Sequence, residues 1–263
     1  MSRIRPPAVA GTFYPDEPER LRAEVRAFLS HPARISSPPP KAVIVPHAGY
    51  IYSGPVAGTA YAQLVPLRGQ VRRVVLLGPA HRVPVRGLAA PTATHFRTPL
   101  GDVPVNQAAV VALAERLPQV VIRDDAHAWE HSLEVQLPFL QEVLEDFELV
   151  PLVVGDATYE EVREVLDAFW DDPETLIVIS SDLSHYHDYA TARAMDSATS
   201  KAIESLRPEA LDYDDACGRI PVGGALLAAR ARGLRAETLD LRNSGDTAGP
   251  RDQVVGYGAY VIH

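Results

Sequence analysis

The stretch Val43–Gly58, which reads V-I-V-P-H-A-G-Y-I-Y-S-G-P-V-A-G, is the most informative part of the chain. It begins within the apolar run Ala42–Val45, which indicates a short buried strand. Pro46 ends that strand because proline has no N–H for the hydrogen-bond ladder, and His47 follows at once. Glycine then allows a sharp turn, and Pro55 suits the first turn of a helix. The stretch therefore predicts strand, turn and helix, with a histidine and two tyrosines where open α/β sheets usually bind ligands.

Two further strands end in the same way. The apolar runs Arg73–Gly78 and Leu176–Ile179 are followed by His81 and His185, as the first strand is followed by His47. A single histidine at a strand end is more often a hydrogen-bonded structural residue. Three of them at equivalent ends of one sheet should converge, and this favours a metal site or an acid/base site.

Apolar runs and helical patterns alternate along the chain and decide the fold class. Helices are predicted after the capping residues Asp16 and Thr158 and over 57–64, 106–117, 130–144, 189–206, 208–216 and 222–232. Further strands are predicted at Leu149–Val154, Glu237–Leu241 and Val254–Val261, with a short hairpin within 94–102, a proline-rich linker over 35–40 and a polar loop over 243–252. The sequence thus predicts a single α/β domain over residues 1–263, with a mixed or largely parallel central sheet flanked by helices.

Composition excludes several classes of function. The net charge of −9 and the lack of a Lys/Arg-rich run argue against nucleic-acid binding. No apolar run approaches the roughly 20 residues of a membrane span, and the amino terminus does not resemble a signal peptide. With one cysteine an internal disulfide is impossible, so we expect a protein of the reducing cytoplasm. No phosphate loop, dinucleotide glycine fingerprint, nucleophile elbow or H-E-x-x-H motif is present.

Other chemically active side chains can have a structural or a functional role. In H-A-W-E-H-S-L-E, His127 is predicted to be an exposed loop residue, whereas His131 lies where a helix start could aim it into the cleft. Cys217 is either a small buried hydrophobe or a thiolate favoured by a nearby helix amino terminus. Asp182 could cap a helix, orient a histidine or act as an acid/base group. Tyrosines such as Tyr50 and Tyr52 more often pack than react.

Seven motifs in order resemble the Memo family, including its bacterial and archaeal branch, AmmeMemoRadiSam system protein B. They are A-G-T-F-Y-P, V-P-H-A-G-Y-I-Y-S-G, L-G-P-A-H, E-H-S-L-E-V-Q-L-P, S-S-D-L-S-H, C-G-R-x-P-V-G and V-V-G-Y-G-A-Y. The resemblance covers about Pro6 to Ile262. The family is similar to the class III extradiol dioxygenases, which hold non-haem iron at the end of an α/β sheet.

The resemblance implies a metal site. It places the ligands on His47, His81 and Cys217. The related dioxygenases use two histidines and a carboxylate, which suits iron(II), and the thiolate of Cys217 is a softer ligand. Non-haem iron(II) is the expected ion, with copper or zinc as alternatives.

The same resemblance implies roles for the surrounding residues. His185 matches the acid/base histidine of the dioxygenases, and we expect Asp182 to orient it. His131 lies near the position of their substrate-binding histidine. The remaining expected site residues are aromatic side chains that would position the substrate: Phe13, Tyr50 and Tyr52.

Three functions follow as hypotheses. The first is an iron-dependent oxidoreductase, similar to the dioxygenases, that acts on an unknown small molecule. The second is a non-enzymatic protein that binds metal or a (phospho)peptide in the same cleft, and the third is a metal-dependent hydrolase. The branch name implies partner proteins of the Amme type and the radical S-adenosylmethionine type.

Overall fold

The computed structural model describes residues 3–30 and 38–263, so the first half of the predicted linker over 35–40 lies outside the described residues. The strands in these ranges are β1 (Ile4–Arg5), β2 (Ala42–Val45), β3 (Arg73–Pro79), β4 (Leu88–Ala90), β5 (His95–Thr98), β6 (Gly101–Pro104), β7 (Val120–Ile122), β8 (Glu148–Val154), β9 (Thr175–Ser180), β10 (His185–His187), β11 (Ala236–Asn243) and β12 (Val254–Ile262). The α-helices are α1 (Pro18–Leu29), α2 (Tyr50–Ala62), α3 (Gln107–Arg116), α4 (Asp124–Ala128), α5 (Leu137–Val143), α6 (Tyr159–Asp167), α7 (Tyr189–Glu204), α8 (Arg219–Ala231) and α9 (Ser244–Thr247). Short 3-10 helices lie at Val65–Leu67, Glu134–Gln136 and Pro208–Ala210.

One large mixed sheet organises the chain, and it confirms the predicted α/β class. Its strand order is β10-β12-β2-β9-β3-β8-β4-β7, with β11 paired to β12. The central neighbours β2, β9, β3 and β8 are parallel, whereas β12 is antiparallel to β2 and β4 is antiparallel to β8. A smaller sheet of order β1-β5-β6 contains the hairpin predicted within 94–102.

The central strands form because their residues are apolar on both faces. β2 is A-V-I-V and β9 is T-L-I-V-I-S, and every residue in both is buried. Parallel strands covered on both faces show such continuous runs instead of alternation. The register pairs Val45 with Ser180 and Leu77 with Ile179, so β2, β9 and β3 end at one edge of the sheet. Residues that follow these strands must therefore meet at that edge.

Several helix boundaries differ from the predictions. α2 begins at Tyr50, so Pro55 lies inside the helix and not in its first turn. The helix predicted over 130–144 is a 3-10 turn followed by the short α5, because the first backbone N–H groups bind the Glu130 carboxylate instead. α1 is capped by Glu17 and not by Asp16, and the helix predicted over 208–216 is only a 3-10 turn. Thr158 caps α6 with Glu161 as predicted, in a complete capping box.

Asp196 on α7 should make stability depend on pH. Its side chain is buried and accepts a hydrogen bond of 3.0 Å from Ser184 N, and burial raises its pKa to about 6. Since an unfolded aspartate has a pKa near 3.9, the folded chain holds this proton more tightly, and stability falls as the pH rises from about 4 to about 6. We expect urea unfolding to show that, between pH 4 and pH 7, the free energy of unfolding of the wild type falls by about 2 to 3 kcal/mol relative to that of Asp196→Asn. The exposed Asp146→Asn is the control, and parallel pH profiles of wild type and Asp196→Asn would contradict the assignment.

Candidate metal centre

A cleft of about 1440 Å³ opens at the carboxyl ends of β2, β9 and β3. His47 enters it directly after β2 and His81 directly after β3. His185, which starts β10 shortly after β9, lines the same cleft. The predicted convergence of the three histidines is therefore confirmed.

A triad of histidines lines the cleft. The ligand atoms of His47, His81 and His131 all lie within 4.8 Å of one another. The ring centroid of His131 is 4.6 Å from that of His81 and 5.6 Å from that of His47. Among the residues that the structure describes, this is the group of side chains spaced to hold one metal ion.

Hydrogen bonds determine which nitrogen of His47 faces the cleft. The Ser180 hydroxyl donates its single proton to Ser132 O at 2.6 Å. Ser180 Oγ can then only accept from His47 Nδ1, which lies 2.9 Å away, so Nδ1 carries the proton of the neutral ring. His47 Nε2 is left unprotonated, which is the form that binds a metal.

This arrangement continues into the core. The Gln136 amide donates to Ser180 Oγ at 2.9 Å and to Pro46 O at 2.9 Å. Its carbonyl oxygen accepts from Tyr61 OH at 2.9 Å, and the Tyr61 ring stacks on Phe139 at 4.8 Å. Each polar atom of the Gln136 side chain is thus satisfied, and His47 is held by a buried chain of hydrogen bonds that ends in the apolar core.

Glu130 holds the other two histidines. Its buried carboxylate accepts from His81 Nδ1 at 2.9 Å and from the backbone N–H groups of His81, His131 and Ser132 at 2.6 to 2.9 Å. Burial alone would raise the pKa of Glu130, but the bonds from His81 and Ser132 outweigh it and lower the pKa to about 2. A carboxylate behind a ligating histidine fixes the ring and increases its basicity. His81 Nε2 is therefore free to face the cleft.

The charge state of the rings also suits metal binding. Burial lowers the pKa of His47 well below its usual range, and the nearby His81 and His131 lower it further. Burial lowers the pKa of His131 as well, although the charge of Glu130 opposes the change. Both rings are neutral near pH 7, as a metal ligand must be. The donor set therefore fits a transition-metal ion that accepts imidazole, such as zinc, copper or iron.

Comparison with known proteins agrees with this architecture. The family model described as Memo-like protein matches residues 5–261. The chain belongs to the Memo family. A MEMO1 family protein of Aeropyrum pernix is 38% identical, with 98% of this chain and 99% of the relative covered. MEMO1 family proteins of Saccharolobus solfataricus and Saccharolobus islandicus are 34% and 33% identical, each with 96% of this chain and 97% of the relative covered.

Cys217 of this Memo family member lies beside His47. Its Sγ is 3.3 Å from His47 Nε2 and 3.7 Å from Asp182 O. Burial and the charge of Asp182 together raise the pKa of the thiol, which favours the first of its two interpretations, a small buried group, over the thiolate. The structure thus places His131 in the triad spaced for one ion, with Cys217 next to it, and ligation by Cys217 stays a prediction.

Asp182 supports His47. Its Oδ1 accepts from His47 N at 2.7 Å, and its Oδ2 lies 3.9 Å from His47 Nε2. Burial raises the pKa of Asp182, although the hydrogen bond from His47 opposes the rise. The sequence predicted that the Asp182 carboxylate orients His185. In the structure, this carboxylate accepts a hydrogen bond from the backbone N–H of His47.

The predicted aromatic residues are divided between the cleft and the core. Phe13 lines the cleft and packs on His131 with ring centroids 4.9 Å apart, and Tyr52 lines the cleft mouth. Tyr50 is buried, its hydroxyl donates to Val135 O at 2.6 Å, and its ring packs on Phe139. This position favours a packing role for Tyr50 over the predicted contact with substrate.

The prediction for His127 is wrong. His127 lies on α4, is 2% exposed, and its Nε2 is 2.9 Å from Ala89 O. Its ring also packs edge-on against Phe96. It is therefore a structural residue of the core beside the smaller sheet, and not an exposed loop residue.

Sequence reasoning missed the residues that orient the histidines: Glu130, Gln136 and Ser180. All three occur within the motifs E-H-S-L-E-V-Q-L-P and S-S-D-L-S-H. A carboxylate directly before a candidate ligand was the available signal for Glu130, since ligating histidines commonly donate to carboxylates. No local signal marks the two polar residues behind His47, because their role depends on contacts across the sheet.

Proposed function

We propose that the cleft is the active site of a metal-dependent oxidoreductase, with iron(II) at the triad His47, His81 and His131. The observation that carries the proposal is the spacing of the three donor atoms, which lie within 4.8 Å of one another in the lining of an open cleft. Three imidazoles leave coordination positions for a substrate. Bound iron would supply redox chemistry, and the resemblance to dioxygenases favours it over zinc.

The residues around the triad have distinct tasks under this proposal. Glu130 and Ser180 keep Nε2 of His81 and His47 directed to the ion. Phe13 covers one side of the His131 ring and limits the access of water. His185 lines the cleft without belonging to the triad, so it can take or give a proton at its ring nitrogen. Tyr52 at the mouth would position a small polar or aromatic substrate.

The decisive variants separate binding of the ion from chemistry. We expect wild type purified without oxygen to hold about one iron per chain, and His47→Ala to lose it. His185→Ala should keep the metal content near that of wild type while oxygen consumption with a substrate falls by about 100-fold or more. Metal analysis of all three proteins tests the binding of the ion, and oxygen uptake by the same proteins tests turnover. Loss of metal from His185→Ala would make His185 a ligand and contradict its proposed task.

A second candidate is a copper-binding protein without turnover. The observation that favours it is the Cys217 thiol 3.3 Å from His47 Nε2, since sulfur ligands select copper(I). Tight copper(I) binding that is lost in Cys217→Ser, with no oxygen consumption, would support this candidate. Because the chain resembles AmmeMemoRadiSam system protein B, we add to either proposal that the protein works together with Amme-type and radical S-adenosylmethionine proteins.

A further inference from the structure

One wall of the cleft carries a permanent positive charge. Arg219 is the first residue of α8, two positions after Cys217, and it lines the cleft. Among the described residues that line the cleft, it is the only lysine or arginine. The other ionisable groups of the lining are histidines, tyrosines, Cys217 and aspartates, and the whole chain has a net charge of −9.

Most N–H donors of the Arg219 guanidinium are available to a ligand. Its Nη1 donates to Tyr159 OH at 3.0 Å, and its carbon lies 5.9 Å from the Tyr159 ring and 6.0 Å from the Tyr213 ring. No carboxylate within the described ranges lies within 4.0 Å of it. Arg232, at the other end of the same helix, is paired with both Asp167 and Asp171. Arg219 is thus held by aromatic rings while most of its five N–H donors remain available.

Aromatic side chains surround the same opening. Tyr52, Tyr186 and Tyr213 all line the cleft and are exposed. Tyr186 also has a φ of 62°, a strained conformation for a residue other than glycine, and such strain clusters at ligand sites. The mouth therefore offers flat apolar faces next to a single cation.

We propose that Arg219 binds the carboxylate of an aromatic acid whose ring lies among the tyrosines of the cleft mouth. A guanidinium fork matches the two oxygens of a carboxylate, which fixes both position and orientation. The positive end of the α8 dipole adds to the attraction. The role of this group as a substrate anchor rests on the proposed function of the cleft.

The charge balance favours a carboxylate over a phosphate. Asp156, Asp182 and Asp214 also line the cleft, so one cation faces several acidic groups. A monoanion can be neutralised by Arg219 alone. A phosphate monoester carries about −1.5 to −2 charges at pH 7 and is best held by several lysines or arginines, whereas Arg219 is the only one among the described residues of the lining.

The test compares matched probes on matched variants. Benzoate and benzamide have the same shape and differ in charge, and phenyl phosphate carries the alternative anion. Ligand-observed NMR titrations should show that wild type binds benzoate at least tenfold more tightly than benzamide, because hydrogen bonds to charged groups contribute on the order of tenfold or more. In Arg219→Gln the ratio should fall to about one. Arg219→Lys should be intermediate, because it keeps the charge and loses the fork, and it serves if the glutamine variant does not fold.

Arg82→Gln is the control, since it removes an exposed arginine near the cleft that is not part of the lining. It should keep the preference for benzoate. The proposal would be overturned if wild type bound benzoate no more tightly than benzamide or did not bind benzoate at all. It would also be overturned if the preference for benzoate survived Arg219→Gln, or if phenyl phosphate bound more tightly than benzoate in a manner that depends on Arg219. Metal content measured on the same samples separates the two proposals: an Arg219-dependent preference in a protein that binds no metal would contradict the proposed function and support the anion site.

Discussion

Replacing Glu130 by glutamine is expected to lower metal affinity by about 10- to 100-fold. The carboxylate accepts hydrogen bonds from His81 Nδ1 and from three backbone N–H groups of the cleft wall. A glutamine of the same size has one acceptor oxygen, and its NH₂ group would face donors. His81 and His131 would then lose the fixed orientation that brings their donor atoms within 4.8 Å of His47. The measurement is a competition titration with a metal chelator at fixed pH.

The control for this variant is Glu142→Gln. Glu142 also has a largely buried carboxylate, but it accepts from Arg22 and Arg26 on α1 and does not line the cleft. Its substitution should leave metal affinity unchanged. Equal affinities for wild type and Glu130→Gln, with normal unfolding curves for both, would show that Glu130 does not orient the ligands.

The second large effect is expected at Glu134, where glutamine should destabilise the fold by about 3 to 5 kcal/mol. Glu134 is fully buried and forms an ion pair with the buried Arg5. It also accepts from Ala8 N at 2.7 Å, Val9 N at 3.0 Å and Tyr14 OH at 2.6 Å. The neutral side chain would leave the buried Arg5 charge without its carboxylate, and the carbonyl oxygens of His127 and Glu130 that it also contacts carry no full negative charge. Chemical unfolding by urea measures the loss.

A double-variant cycle identifies the ion pair as the cause. Arg5→Met and Glu134→Gln should each destabilise the protein strongly, while the double variant should lose less than the sum. Arg68→Met breaks an exposed pair with Glu145 and should cost at most about 1 kcal/mol. Strict additivity of the two buried substitutions would rule out the coupling.

The substitution Glu134→Gln should also affect the cleft. Glu134 fixes the segment from Ala8 to Tyr14, and this segment carries Phe13 onto His131. The backbone of Phe13 is tied to α2 as well, through a bond of 2.7 Å from Tyr50 N to Phe13 O. We therefore expect Glu134→Gln to weaken metal binding less than Glu130→Gln does, because it acts on a residue that covers the triad and not on a ligand.

The strands and the shared edge could be predicted from sequence because they depend on local patterns. β2, β3 and β9 each contain a run of four consecutive apolar residues, and a histidine follows shortly after each strand. Parallel pairing then forces His47 and His81 to the same end of the sheet. The family resemblance added Cys217, which local patterns alone left open.

The supporting contacts could not be predicted because they join distant positions. Ser180 lies 133 residues from His47, and Glu130 lies 49 residues from His81. At the start of α2, the Tyr50 N–H donates to the distant Phe13 O. Before α5, the Glu130 carboxylate accepts from the N–H groups of His131 and Ser132, which a regular helix over 130–144 would have used differently. His127 was misjudged for a related reason: its partner Ala89 is on β4.

The three histidines of the triad differ in their contact with solvent, and this difference concerns the kinetics of uptake and release. The side chain of His81 is 28% exposed, that of His131 is 13% exposed and that of His47 is 2% exposed. Under the proposed metal binding, an ion that arrives from solvent would meet His81 first and would reach the inner rings afterwards. The outermost ring would then govern how fast the ion is captured, while the innermost ring, held by the hydrogen bonds that reach Tyr61, would govern how long it stays.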